Sequence, residues 1–244
     1  MNRTKIEWTD FTWNPVTGCL HRCPYCYGRK IANRFRSLFP NGYKPTFHPE
    51  RLKEPYNISK NFRSKNPHLP KGSAMIFTVS MGDLFGLWML NENRFWVYAI
   101  FNIIWDIYRS SPILQPRHQF QILTKAPQNI ELLVRDRIPP NVWIGTTVED
   151  QSKAWRIEWI QELKHHGIKF VSFEPLLSPV EFDLNGIDWI IIGAQTNPYK
   201  PPEAEWVHNL IEQAKDAGAA VFLKDNLRWP ERIQEFPTKE VDAQ

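Results

Sequence analysis

Outside one short window the sequence of 244 residues contains no cysteine. The three it has, Cys19, Cys23 and Cys26, are an odd number crowded together, which excludes the spread, even-numbered framework of a disulfide-stapled secreted domain. A long apolar run is missing too. The greasiest stretch, 95–108, is too short to cross a bilayer and is interrupted by Asn102 and Asp106. The N-terminal segment 1–10 is polar and lacks the apolar centre of a secretory signal. No sequence repeat with the period of a solenoid or propeller is present. A strong charge imbalance is also absent: the net charge of +4 permits an anionic partner without demanding one. These absences predict a soluble, cytoplasmic chain with no membrane association.

What is present is a regular alternation. Short apolar runs at 5–13, 74–79, 119–124, 142–147, 169–173, 188–193 and 220–223 have the length and composition of strands. Between them helical spacing recurs at 29–39, 91–109, 128–135, 151–166 and 203–217. Fully apolar strands alternating with helices predict an α/β fold. About six or seven strands would form a parallel sheet, covered by helices on both faces or closed into a barrel. On the helix over 151–166, Trp155, Trp159, Ile160 and Leu163 share a face and are read as core. An apolar share of 42% supports a sizeable core. The length predicts one domain over 1–236, with an irregular, proline-rich basic segment at 40–73 and a polar tail at 237–244.

Polar residues follow the strands: Asp83, Lys125, Glu149, Glu174, Gln195, Lys224 and Asp225. In parallel barrels the carboxyl ends of the strands carry the active site. The cysteine loop follows the first strand, so it would open at the same end.

The spacing C-x3-C-x2-C brings three thiolates onto one loop, which suits a metal centre. A [4Fe–4S] cluster has four iron corners, and three cysteines leave one open for a small molecule. A zinc site completed by His21 or a distant histidine uses the same residues, although no second cysteine pair at finger or ribbon spacing is present. A redox dithiol of Cys23 and Cys26 is a further alternative.

The C-x3-C-x2-C motif with Tyr25 before its last cysteine resembles the signature of the radical SAM superfamily. That resemblance implies that Cys19, Cys23 and Cys26 bind a [4Fe–4S] cluster and that S-adenosylmethionine chelates the open iron. It also implies an external electron donor and a parallel partial (βα)6-type barrel with the cluster loop after the first strand. The match narrows over most of the chain. Glu7-Trp8-Thr9-Asp10, Thr12 to Cys19, Met81-Gly82-Asp83-Leu84-Phe85, Leu123-Thr124-Lys125, Trp143 to Glu149, Ser172 to Leu177, Trp189 to Gly193 and Phe222-Leu223-Lys224 look like the phage Gp37/Gp68 family, also called DUF5131. The chain departs from that pattern at Ala194-Gln195-Thr196-Asn197, where members run Gly-Glu-Ser-Gly and carry a charge.

By the same resemblance, Ser80, Met81, Gly82 and Asp83 would hold the methionine amino group, with Gly82 admitting close backbone approach. Thr147 and Glu149 would meet ribose or carboxylate, Lys125 a carboxylate, and Glu174 ribose or substrate. Plainer roles stand beside these. Glu149 would be an acid at a helix N-terminus, Lys125 a surface lysine, Glu174 a loop carboxylate, and Lys224 and Asp225 a mutual pair. A phage-linked family points to a nucleic acid or nucleotide substrate. A reading from another class is a nucleic-acid-binding module stabilised by zinc or an iron–sulfur cluster, with the basic stretch 29–71 as its contact surface.

Overall fold

Eight strands lie side by side in one sheet, and their spatial order is their order along the chain. They are β1 (Asn2–Arg3), β2 (Phe11–Trp13), β3 (Met75–Thr78), β4 (Gln119–Thr124), β5 (Val142–Thr147), β6 (Lys169–Phe173), β7 (Trp189–Ile192) and β8 (Ala220–Leu223). β1 runs antiparallel to β2, and from β2 to β8 every pairing is parallel. The structure, a computed structural model, describes residues 1–238 except 92, 111–117 and 136. The end of the expected tail, 239–244, therefore lies outside the described residues.

The strands from β3 to β8 are mostly buried and largely apolar because both faces are covered. On one face Ile76, Phe120, Ile122, Ile144, Val171, Ile190 and Val221 join the core with Val97, Ile100 and Ile104 of α2 (Arg94–Ser110), Leu133 of α3 (Ile130–Val134), Ile157 and Ile160 of α4 (Arg156–Glu162), and Leu210 of α5 (Ala204–Asp216). The other face is filled largely by aromatic rings: Trp8, Phe77, Trp143, Phe170, Trp189 and Phe222. Trp8 touches Phe77 of β3, Phe170 of β6 and Trp189 of β7, at centroid separations of 4.8, 6.4 and 6.2 Å. One indole reaching strands that are not neighbours requires a strongly curled sheet. Each such ring pair adds about 0.5–1.5 kcal/mol beyond its area burial. The expected partial barrel is thus present but open: among the described residues no pairing joins β8 back to β1 or β2. The outer edge of β8 is covered instead by 233–235, through Leu223 N to Ile233 O at 2.7 Å and Glu235 N to Val221 O at 2.9 Å.

Three expectations need correction. The first strand is only β2, because residues 5–10 turn to drive Trp8 into the aromatic layer. The helix expected over 29–39 is α1 (Tyr27–Arg34) followed by a 3-10 turn at Arg36–Leu38. The helix expected over 151–166 is a 3-10 turn at Gln151–Lys153 and then the short α4, which buries Arg156, Ile157 and Ile160. Trp155 and Trp159, read as core, are 42% and 41% exposed because they lie off that face.

The segment 40–73 holds only short elements. A short strand at Thr46–Phe47 pairs with Val16–Thr17, and 3-10 turns follow at Pro49–Arg51 and Glu54–Asn57. Some of its basic residues are structural. Lys65 Nζ donates to the carbonyls of Thr4, Ile6 and Thr9, and Arg51 Nη1 to Asn14 O. Among the described residues no helix is long and apolar enough to cross a membrane.

Candidate metal and cosubstrate site

The alternation of the strands builds the site. Beyond the aromatic layer the same face turns polar, with Lys125 two positions after Leu123, Glu174 after Ser172 and Lys224 after Phe222. Leu123, Lys125, Ser172, Glu174 and Lys224 line a cavity of about 360 Å³ together with Trp8, Phe77, Thr147 and all three cysteines. Thus the expected convergence of the cysteine loop and the strand ends is what the fold produces.

The cysteine loop is pinned at its base. Asn14 Oδ1 accepts from Met81 N (2.9 Å) and pairs with Ser80 Oγ (3.2 Å), while Gly18 N donates to Met81 O (2.8 Å). Gly18 has φ +91°, and a Cβ there would stand 2.1 Å from Lys44 O, so only glycine lets the loop pass. Val79, at the end of β3, takes φ +59°, a strained conformation for a β-branched residue, just where the chain turns into Ser80–Asp83. At its far end Cys26 caps α1, its sulfur accepting from Arg29 N at 3.4 Å.

The middle of the loop is held by two carboxylates. Asp83 is buried, and both its oxygens are taken. Oδ1 accepts from Thr124 Oγ1 (2.7 Å) and Phe85 N (3.0 Å); Oδ2 accepts from Lys125 N (2.9 Å) and lies 2.8 Å from His21 Nε2. Burial alone would raise this carboxyl, but His21, Lys125 N and Thr124 more than reverse it and hold it below the usual range. The His21 ring, committed to Asp83 and edge-on to Trp88, sits as a strut between the cysteines. Glu149 is the second anchor. Oε1 accepts from Tyr25 OH (2.6 Å) and from Lys125 Nζ, and Oε2 accepts from Arg156 Nη1 (3.0 Å). The helix-terminal role considered for Glu149 belongs to its neighbour: Asp150 Oδ1 accepts from Ser152 N at 2.9 Å. Burial pushes the Lys125 amine down to about 8, against the pull of Cys23 and Asp83. Lys125 is therefore no surface lysine.

Across the cavity lies a looser pair. Lys224 Nζ meets Glu174 Oε1, with Glu7 Oε2 at 3.9 Å. Gly193 makes room for it, since a Cβ there would stand 3.0 Å from both Glu174 Cγ and Lys224 Cδ. Burial lowers the Lys224 amine, but the Glu174 and Glu7 carboxylates outweigh this and hold it above its ordinary value. Lys224 does not pair with Asp225 as expected, because the two side chains leave the backbone in different directions. Asp225 Oδ1 accepts from Gln234 instead.

Of the residues expected to hold a cosubstrate, Ser80, Gly82, Asp83, Lys125, Thr147 and Glu174 line the cavity. Met81 does not; its backbone serves Asn14 and Gly18. Gly82 spends its small size on the loop itself, bridging to Gly18. Glu149 acts behind the wall, through Tyr25 and Lys125. Sequence reasoning missed Arg156, whose guanidinium also donates to Thr147 O (2.8 Å), and Tyr43, whose hydroxyl lies 3.8 Å from Cys26 Sγ. Neither carries a motif signal, and both are found only through the fold.

The three cysteines are free thiols, each half-buried. Burial, with the charges of Asp83, Cys23 and Cys26 adding to it, pushes the Cys19 thiol up to about 12. Among the described residues no group of three or more His, Cys, Asp or Glu side chains stands as a ready site for a metal ion.

A family model described as "Protein of unknown function (DUF5131)" matches residues 3–242. No curated protein matches the chain. Solved structures of spore photoproduct lyase are similar. One, complexed with dinucleoside spore photoproduct, has a TM-score of 0.56 at 10% identity, covering 91% of this chain and 79% of that one. A mutant of that lyase with dinucleoside spore photoproduct gives 0.57 at 11% identity, with 91% and 79% covered. A further mutant, with bound AdoMet and dinucleoside spore photoproduct, gives 0.51 at 10%, with 88% and 53% covered. At such identities the likeness is one of fold.

Proposed function

We infer, for a chain that belongs to the DUF5131 family of proteins of unknown function, a radical SAM enzyme. In this reading Cys19, Cys23 and Cys26 hold a [4Fe–4S] cluster, S-adenosylmethionine binds beside it, and hydrogen is taken from a nucleic acid or nucleotide. The observation that carries the reading is the convergence of three thiols and the polar ends of β3 to β8 on one cavity. The fold likeness to a lyase solved with AdoMet and a dinucleoside supports it.

The donor chemistry supports this reading, although the three thiols do not stand as a ready site in the structure. Three free sulfurs without a fourth match a cluster with one open iron. Cys26 Sγ accepts from Arg29 N at the start of α1, and all three half-buried sulfurs border the same cavity. When bound, the cluster and S-adenosylmethionine would together supply, on reduction by an external electron donor, a 5′-deoxyadenosyl radical able to abstract hydrogen. The chain does the rest. Asp83 through His21, and Glu149 through Tyr25, hold the loop rigid. Thr147, Ser172, Glu174 and Lys224 offer polar contacts on the opposite wall, and Trp8, Phe77 and Leu123 keep water from the floor. Such an oxygen-sensitive centre belongs in a reducing, cytoplasmic setting.

Metal analysis of anaerobically purified protein tests the assignment. We expect about four irons per chain, lost on Cys19→Ala, Cys23→Ala or Cys26→Ala. A colourless protein holding a single zinc would overturn it in favour of a metal-stapled binding module.

A further inference from the structure

Two exposed flanks meet at the mouth of the cavity, and both combine cations with aromatic rings. The first is α1 and the turn after it. Only Gly28 and Ala32 of this helix are buried. Its outward surface carries Lys30 and Arg34, with Arg36 beyond it, interleaved with Tyr27, Ile31, Phe35 and Leu38, all exposed. The Arg34 guanidinium lies 5.3 Å from the centroid of Phe35, which is 44% exposed. The second flank is the hairpin of Gln195–Thr196 and Tyr199–Lys200. There Arg228 lies 4.8 Å from the ring centroid of Tyr199, which is 43% exposed. Lys30 Nζ donates to Asn197 O at 3.0 Å, so the flanks touch, while Tyr27 on one and Gln195 and Thr196 on the other line the cavity.

Among the described residues no carboxylate lies within ion-pair distance of Lys30, Arg34, Arg36, Lys200 or Arg228. A solvated face would intersperse both signs and keep its rings inside. Cations without acidic partners, next to exposed rings, complement a polymer with an anionic backbone and flat bases.

We propose that α1 and the 195–200 hairpin form a seat for single-stranded nucleic acid, which delivers a base to the cavity between them. The seat rests on the reading of the cavity as a radical SAM site, and it names the substrate class. Lys30, Arg34, Arg36 and Lys200 contact phosphates, and Phe35 and Tyr199 stack on unpaired bases. A duplex keeps its base faces covered and binds more weakly.

The test is fluorescence anisotropy on the full chain, purified anaerobically, with labelled single-stranded and duplex oligonucleotides and with anionic phospholipid vesicles as a separate arm. For four phosphate contacts, single-strand affinity should fall about 50-fold between about 50 and 200 mM salt. The double variant Lys30→Glu/Arg34→Glu should lose at least about 10-fold in affinity and flatten the salt slope. Phe35→Ser, at an exposed position where folding is not at stake, should weaken binding about 10-fold without changing that slope. Absence of salt-sensitive strand binding, binding unaltered in these variants, or preference for duplex or vesicles would overturn the proposal. Binding needs neither iron nor S-adenosylmethionine. Strand binding without cosubstrate cleavage therefore refutes the enzyme reading alone, and cleavage without strand binding refutes this one alone.

Discussion

On the flank of the cavity formed by β3, β4 and β5, the oxygens of Asp83 and Glu149 all have protein partners, drawn from residues up to 124 positions away. On the flank formed by β6, β7 and β8, Glu174 meets Lys224 through one oxygen only, and among the described residues its other oxygen has no hydrogen-bonding partner. The same residue types thus do opposite work. The first flank is scaffold: its carboxylates are spent on fixing His21, Tyr25 and Lys125, and through them the cysteine loop. The second keeps exchangeable polar groups facing the cavity, where a ligand can compete for them. A carboxylate at a strand end is a poor guide to ligand binding until its partners are counted.

Substitutions should separate the flanks by readout. Asp83→Ala leaves His21 and two backbone N–H groups without their acceptor in a buried place. It should cost about 3 kcal/mol in urea unfolding of the metal-free chain. Glu149→Gln keeps the shape but strands the charges of Lys125 and Arg156, and about 2 kcal/mol should be lost in the same measurement. Glu174→Gln should cost less than about 1 kcal/mol of stability. It should nonetheless weaken S-adenosylmethionine or substrate binding about 10-fold by calorimetry, the size expected for a charged hydrogen bond. Equal losses of stability on both flanks would erase the distinction. The smallest effect is alkaline. The folded state holds the Lys224 proton more tightly than the unfolded chain, whose ordinary value is 10.5. Its contribution is therefore complete below about 10.5 and is lost as pH rises through the folded value, a change under about 1 kcal/mol that Lys224→Met should abolish.

Legibility in the sequence divided differently, between buried strands and the edge. The buried strands β4, β5, β6 and β8 were read with their observed bounds, because an apolar run flanked by polar residues fixes a strand that is covered on both faces. β1, two polar residues on an edge, has no such signature. The spacing of the cysteines alone pointed to a metal centre, which is the reading proposed above. The strand-end positions were readable from where each apolar run stops, but their roles were not, since Asp83 depends on His21 and Thr124, and Glu149 on Tyr25 and Arg156, contacts that only the curled sheet creates. Trp155 and Trp159 misled because the local spacing fits a helix face, while the helix that forms is too short to bury it.

If this cavity joins a three-cysteine cluster to S-adenosylmethionine, the protein must cleave that cosubstrate on reduction. The most direct measurement is 5′-deoxyadenosine formed by the anaerobically reconstituted protein with S-adenosylmethionine and a strong reductant. A brown protein that makes it is expected, and none from the Cys19→Ala, Cys23→Ala or Cys26→Ala variants. A protein that holds its iron yet releases no 5′-deoxyadenosine, with or without single-stranded nucleic acid present, would contradict that reading.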